Sequence, residues 1–402
     1  MLLAEPKVQL GELIVRERDA LPGEAAPEHL RGHRVKIRRE HLLEDGYVQL
    51  AALPADAMKG TVRVEFVSGL GLAEAGIDPS VGSKGDSYAA VCYLSQYGFS
   101  DRLSQAIAHG IGKADAQVQL VDLRATDPQE LTALVGEAKA VVVPTWPTEP
   151  DGELQASIGT LLAALQPKQL VGVYDAFGGN DEPIDAVAEQ LRNQGLKPAF
   201  EPLRIRQLPQ GGDYQRCEES GTDLGQILTR KKSIEALRSI DANLDKALGR
   251  LTGGLYIVTA SQGEGDARRS GAMVASWVAQ ASFRPPGLSV AVAKDRAIEA
   301  LMQVGDSFVI NVLRQDRYKP LMQHFLKRFP PGADRFEGVN VLHGAAEGGP
   351  VLTDALAYLS CRVEQRMEGP DHWIIYALVE QGNVADIDGR TAVHHRKTGN
   401  HY

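Results

Sequence analysis

From Tyr88 onward, short apolar runs take turns with stretches of helical period, and this alternation limits the fold more than any other feature of the chain. Tyr88–Leu94, Val118–Leu123, Ala140–Val143, Leu170–Tyr174 and residues 200–208 read as strands. Between them, Leu103–Ile111, a segment opened by Thr126-Asp127-Pro128-Gln129-Glu130, Ile158–Leu165 and Asp185–Gln194 read as helices. Pro128 falls in a first helical turn, where its missing N–H has no partner to lose. Gly195 stops the last helix. Runs this apolar suit strands covered on both faces. Strands that alternate with helices predict an α/β doubly wound parallel sheet.

After Gly253 the texture becomes strand-rich, with frequent Gly and Pro. Leu255–Ala260, Leu288–Ala293, Phe308–Leu313, Ala357–Val363 and Trp373–Val379 are the strand candidates, interrupted by helical patterns at Ala297–Val304 and Leu321–Phe329. That texture predicts a β-barrel with a few helices. Between the two halves, Ile234, Leu237, Ile240, Leu244, Leu248 and Leu251 step by three or four and share one helix face. The expected organisation is an unassigned segment 1–84, an α/β domain 85–230, an amphipathic linker helix 231–251 packed on one domain, and a barrel domain 252–402. Before residue 85, Val35 with Ile37, Tyr47–Leu50 and Val62–Val67 are strand candidates.

At 402 residues the chain is long enough for two or three domains of about 150 residues each. A net charge of −9, from 43 Lys plus Arg against 52 Asp plus Glu, argues against nucleic acid as a partner. No apolar stretch approaches the roughly 18 residues that would suggest membrane insertion. The first residues, MLLAEPKVQL, are too short an apolar run for a secretory leader. Cys92, Cys217 and Cys361 form no CxxC pair and no disulfide framework, so a cytoplasmic location is expected.

Ser95-Gln96-Tyr97-Gly98-Phe99-Ser100 follows the first strand of the α/β half and opens a helix. The hydroxyls of Ser95 and Ser100, close backbone approach at Gly98 and a helix N-terminus together suit a phosphate monoester. A plain tight turn reads alike. Neither GxGxxG nor Walker A is present, so a dinucleotide or ATP is disfavoured there. Thr145-Trp146 and Phe177-Gly178-Gly179-Asn180 follow the third and fourth strands, where open α/β sheets hold ligands. Trp146 and Phe177 can sandwich a flat ring, or simply cap the core.

In the second half, Ser276 and Ser282 lie among small residues that let a ligand rest on backbone. Lys294 and Arg296 suit a phosphate. His372, beside Asp371, can orient a ring or bridge two strands; Trp277 and Trp373 are core or stacking residues. Arg268 and Arg269 can meet a 2′-phosphate or belong to a solvated loop.

These residues carry a resemblance. Tyr97–Leu103, Phe177–Pro183 and Cys217–Asp223 resemble the flavodoxin module of flavodiiron proteins, specifically the diflavin type of oxygenic phototrophs such as cyanobacteria. Ala272–Phe283, Val290–Glu299, Pro350–Tyr358, Asp371-His372-Trp373 and Ala392–Asn400 resemble the flavin reductase module that this type carries at its C-terminus. In order and spacing the likeness spans about residues 88–402.

The resemblance implies a flavodoxin-like domain followed by a split-barrel flavin reductase-like domain, one FMN in each, and NAD(P)H as co-substrate. It implies FMN contacts at Ser95, Tyr97, Gly98, Phe99, Ser100, Thr145, Trp146, Phe177, Gly178, Gly179 and Asn180 in the first. In the second it implies Met273, Ala275, Ser276, Trp277, Ser282, Lys294 and Arg296, with His372 as the catalytic candidate. The family's diiron chemistry resides in an N-terminal metallo-β-lactamase-like module. His29, His33 and His41 do not make its H-x-E-x-D signature, and 1–84 is short for such a module, so no metal site is expected.

The expectation is therefore an FMN-dependent NAD(P)H oxidoreductase, cytoplasmic and homo-oligomeric, that passes electrons through two flavins. In the family they go towards oxygen reduction; here the terminal acceptor would be a partner. Two alternatives stand beside it: a non-catalytic or regulatory partner subunit of a complete flavodiiron paralogue, and a reductase that supplies free reduced FMN. Ferredoxin is a further possible donor.

Overall fold

The computed structural model describes residues 88–95, 97–177, 184–205, 208–342 and 344–399, plus the backbone of three short strands nearer the start. These three, β1 (Glu12–Glu17), β2 (Arg34–Lys36) and β3 (Val62–Phe66), form an antiparallel sheet in the order β2-β1-β3. They belong to a separate unit, Met1–Ser83. The candidate strand Tyr47–Leu50 lies outside the described residues.

The second unit opens with the predicted α/β sheet. β4 (Tyr88–Tyr93), β5 (Gln117–Asp122), β6 (Ala140–Pro144), β7 (Leu170–Tyr174) and β8 (Lys197–Pro198) are all parallel, in the order β5-β4-β6-β7-β8. α1 (Ser100–Lys113) and α5 (Gly211–Arg238) cover one face; α2 (Pro128–Glu137), α3 (Gly152–Ala164) and α4 (Ile184–Asn193) cover the other. Strand alternation decides which residue meets which layer. Ala89 and Val91 pack with Leu103 and Ile107 of α1 and Leu224 of α5. Ala90 and Cys92 pack with Leu131 of α2 and Leu161 of α3. Asp127 caps α2 by accepting from Gln129 N at 2.8 Å, and Asp151 caps α3 by accepting from Leu154 N at 2.8 Å.

Of the strand expected over 200–208, the described residues show only a lone parallel bridge between Leu203 and Tyr174, and the edge strand β8 is two residues placed just before that range. Pro198 and Pro202 cannot donate to a ladder, and this edge accordingly breaks up.

The helix expected over 231–251 is in two pieces. α5 runs continuously through residue 230 to Arg238, and α6 (Ala242–Leu248) restarts behind an Asp241 cap. Its stripe does not pack as expected: Ile234, Leu237, Ile240, Leu244, Leu248 and Leu251 are all exposed. The periodicity is genuine, but a second surface to bury it is not supplied by the described residues.

The remaining strands are β9 (Gly253–Gly254), β10 (Tyr256–Gln262), β11 (Arg269–Ala275), β12 (Val278–Phe283), β13 (Pro286–Ala293), β14 (Ser307–Val312), β15 (Val341–Leu342), β16 (Val351–Leu352), β17 (Ala357–Glu368), β18 (His372–Val384) and β19 (Val393–His394), with α7 (Tyr318–Leu326) between β14 and β15. Seven of them form one antiparallel sheet in the order β11-β10-β14-β17-β18-β13-β12. Met273 and Ala275 from one edge strand share a core with Val290 and Val292 near the other edge and with Phe308 between, so the sheet rolls around its own apolar face. A 3-10 turn, Ala297–Leu301, replaces the helix expected to reach Val304.

The two halves of this unit meet through polar contacts that include buried charge. Gln215 of α5 takes both backbone groups of Ser270 at the start of β11, donating to its O at 2.8 Å and accepting from its N at 3.2 Å. Glu219 of α5 is buried; it receives Arg335 Nη2 at 2.9 Å and Gly332 N at 2.8 Å. Lys113 of α1 lies between Glu218 Oε1 at 2.7 Å and Glu299 Oε2 at 2.9 Å.

Candidate functional site

In the parallel sheet, β4 has β5 on one side and β6 on the other, and the carboxyl ends of β4, β6 and β7 surround that switch in strand order. The loop after β4 is fixed from below. Ser100, the first residue of α1, is fully buried; its Oγ accepts from Leu94 N at 2.9 Å and lies 3.1 Å from the Tyr174 hydroxyl. That tyrosine, also buried, donates to Cys92 O at 2.9 Å. Thr145 is buried too, and its Oγ1 accepts from Ala176 N at 2.8 Å. Both hydroxyls therefore serve the scaffold of the pocket.

Gly98 sits at the exposed tip with φ +54°. A Cβ there would come within 2.6 Å of Ala176 O and of the Phe177 Cα. Phe99 N donates to the same Ala176 O at 2.7 Å, which ties the two loops together. The Tyr97 and Phe177 rings stand 5.4 Å apart, with Phe177 47% exposed. Trp146 is half-buried against the α2–α3 side of the core. Ser95 N donates to Asp122 Oδ1 at 3.3 Å. Partial burial, followed by the Asp122 charge, raises the Asp101 carboxyl at the mouth of α1. Gly178, Gly179 and Asn180 lie outside the described residues.

These features suit a flat ring with a polar tail: two aromatic groups at the rim, a backbone cradle that a Cβ would fill, and a helix N-terminus below it. Gly98→Ala is expected to open the tie between the two loops, at a cost of about 1–3 kcal/mol from the left-handed backbone and the close contact. Flavin content and urea unfolding of the purified variant check this.

The second cluster lies on the outer face of β13 and β18. His372 and Tyr376, four apart on β18, share that face; they pair in register with Ala293 and Ser289 of β13. The His372 ring is 5.1 Å from the Trp277 ring, and its Nδ1 is 2.9 Å from Asp371 Oδ1. Arg396 lies 5.2 Å over Trp277. Ser282 Oγ is 2.9 Å from the Tyr376 hydroxyl and donates to Pro285 O at 2.7 Å. Ser276 is 4% exposed, and its Oγ has no hydrogen-bond partner among the described residues. A pair of rings on one face of the sheet suits a heteroaromatic guest, and the buried Ser276 hydroxyl precedes one of them in the chain.

Met273 and Ala275 turn their side chains into the barrel core, so these two residues can meet a ligand only through backbone. Lys294 is on the other side from His372. Its Nζ pairs with Glu368 Oε1 at 2.6 Å and lies 5.5 Å over the Trp373 ring, which packs towards the core. Arg296 is exposed. The arginines of the 263–269 loop are attached to β10: Arg268 Nε donates to Ser261 Oγ at 3.1 Å and Arg269 Nη2 to Gln262 Oε1 at 2.6 Å.

Tyr174, Asp122, Tyr376 and Arg396 were not among the candidates. A tyrosine closing an otherwise aliphatic buried strand is the one usable signal, since its hydroxyl must find a partner. The others join the sites only through tertiary pairing. Among the described residues no group of three or more His, Cys, Asp and Glu stands together to hold a metal ion, and no helix is long and apolar enough to cross a membrane.

A doubly wound parallel sheet joined to an antiparallel flavin-reductase-type sheet, each with an aromatic cluster at its surface, defines a two-module protein of the flavodoxin-like plus flavin reductase-like kind. Comparison with known proteins agrees. The family "Flavin reductase like domain" matches residues 248–400. "Diflavin flavoprotein A 1" of Synechocystis sp. is 54% identical over 320 residues, 80% of this chain and 55% of that protein. "Putative diflavin flavoprotein A 3" of Nostoc sp. is 53% identical over 321 residues, again 80% and 55%. Among solved structures, the flavodoxin-like domain of a Synechococcus sp. protein is 51% identical, covering 35% of this chain and 99% of that one, with a TM-score of 0.34. The chain is a two-module homologue of the diflavin flavoproteins A, and it spans about half the length of the curated relatives it matches.

Proposed function

We propose that this chain is an NAD(P)H-dependent flavin oxidoreductase in which the barrel module receives reducing equivalents and the flavodoxin-like module relays them to a partner protein. The paired Trp277 and His372 rings, within the segment that the family matches, carry the reading, together with the buried Ser276 hydroxyl next in the chain, which has no hydrogen-bond partner among the described residues. FMN, when bound, supplies hydride acceptance at one site and stepwise electron release at the other.

The protein's part is to hold and orient. Trp277 offers a face for a ring, with Arg396 steadying it from the other side. His372, anchored by Asp371, is placed to orient a nicotinamide or flavin edge. Ser276 donates to the ring it meets. In the flavodoxin-like module, Tyr97, Phe177 and Trp146 flank the ring, and the Gly98 backbone admits the phosphate.

Anaerobic titration of the purified chain with NADH, followed by flavin absorbance, tests this. Bleaching of about two flavins per chain is the expected result. Flavin that stays oxidised under both NADH and NADPH would sink the reductase reading.

A further inference from the structure

Trp277 is 39% exposed and lies in the two-residue link between β11 and β12. What packs on its indole comes from far along the chain. β19 pairs with β9, with His394 opposite Gly253, and a Cβ at Gly253 would strike the backbone oxygen of Ser276, the residue before Trp277. Residues 394–399 then form a strap that touches both Trp277 and α6. Arg396 lies 5.2 Å over the Trp277 ring. Its Nη1 donates to Gly399 O at 3.1 Å, and its Nη2 reaches Leu251 O at 3.4 Å and Leu248 O at 3.5 Å, at the end of α6. α6 grips the strap a second time, since Gly399 N donates to Asp245 O at 2.8 Å and lies 2.9 Å from Asp245 Oδ1. Gly249, the C-cap of α6, makes room for this contact: a Cβ there would come within 2.6 Å of Thr398 N.

The structure assigns Arg396 as a positioning residue for Trp277, and α6 as the anchor of the strap that carries it: the link between the two modules sets how well the barrel binds a flat ring. This rests on the proposed reading of Trp277 as a ring face. An indole in an exposed link has several rotamers open to it. A guanidinium is planar, so it can lie on a ring face while its edge donates to carbonyls. Arg396 does both, with Trp277 under its face and the carbonyls of Gly399, Leu248 and Leu251 at its edge. α6 follows α5, whose Cys217 and Leu224 pack on the parallel sheet. An indole placed in advance saves a ring ligand the cost of ordering it. Because Arg396 works through Trp277, a flavin without a phosphate gains as much from this arrangement as one that carries it.

The test labels the full chain with 5-fluorotryptophan and follows the Trp277 signal by fluorine NMR, assigned by its loss in Trp277→Phe. Riboflavin and FMN are titrated separately, so the signal reports binding at the barrel and not at the flavodoxin-like module. Arg396→Met is expected to raise the Kd of both flavins at this site by about fourfold, the size of one half-exposed cation–ring contact, and Arg396→Lys to restore part of the affinity. Gly249→Ala meets the strap and not the indole, and it should still move the Trp277 signal of the ligand-free protein while those of Trp146 and Trp373 stay in place. If Gly249→Ala fails to fold, Asp245→Asn takes its place, as it weakens the grip on Gly399. A Trp277 signal unmoved by the α6 variant overturns the proposal. So does an Arg396→Met that weakens FMN and leaves riboflavin unchanged, since Arg396 would then meet the phosphate itself. If neither flavin moves the Trp277 signal in wild type, the reading of Trp277 as a ring face falls, and the positioning claim is decided by the ligand-free spectra of the α6 variant alone.

Discussion

Lys113→Met is expected to destabilise the chain by about 3–5 kcal/mol, the usual cost of breaking a buried ion pair from one side. The substitution keeps the apolar stem and removes the charge between Glu218 and Glu299, leaving two carboxylates in a site where Lys113 and Glu299 are each 8% exposed. Burial alone would push the Lys113 ammonium down and the Glu218 carboxyl up. The ion pairs reverse both: the two carboxylates raise Lys113, and Lys113, followed by His109, draws Glu218 down to about 2. Glu299 is likewise lowered against its burial, by Lys113 and then Arg366.

The pH dependence follows from these directions. A carboxyl depressed in the folded state contributes stability above its unfolded pKa, and that contribution fades as pH falls from about 4.5 towards 2. In Lys113→Met the largest lowering influence on both acids is gone, leaving only His109 beside Glu218 and Arg366 on Glu299 against burial, which favours the protonated forms. The stability deficit of the variant should therefore be largest near neutrality and shrink towards pH 4.5. Urea midpoints of both proteins at the two pH values check it; a deficit independent of pH would show that the ion pairs do not carry the effect.

Gly110→Ala is expected to cost about 1–3 kcal/mol, towards the upper end because the obstacle is backbone. A Cβ at Gly110 would stand 1.9 Å from Glu218 O and 2.9 Å from Thr222 N. α1 and α5 must then separate, and the shift carries Glu218 away from Lys113. The same variant should for that reason lose part of the acid-sensitive stability described above. Thermal unfolding gives the first quantity, and its pH series gives the second. A full pH dependence with only a lower midpoint would mean that the helices part without disturbing the pair.

Much of the fold was legible because its signals are local. Tyr88–Leu94 and Leu170–Tyr174 are buried on both faces, and continuous apolar runs show this directly. Pro128 behind Asp127 marks a helix start by chemistry confined to three residues. β11 and β12 were less visible. The small residues of 269–283 read as a ligand segment, and only pairing with β10 and β13 makes them strands. The strand over 200–208 was overestimated, because Pro202, with Pro198 just ahead of it, acts on a ladder the sequence cannot display.

The sites divide in the same way. Gly98, Tyr97 and Phe177 were legible since each fits a known loop position at a strand end. Ser100 and Thr145 were legible as hydroxyls, but their commitment to Leu94 N and Ala176 N depends on loops far apart in sequence. Lys294 and Arg296 look equivalent in the sequence; the fold pairs one with Glu368 and Trp373 and leaves the other exposed. By itself the sequence determined the two-module order and the residue types at each mouth, because periodicity and turn chemistry act over a few residues. Only the tertiary structure decided that Lys113 and Gln226 of one module meet Glu299 and Asp295 of the other. Buried charges choose partners by distance in space, and residues 113, 226, 295 and 299 become neighbours only when both sheets are built.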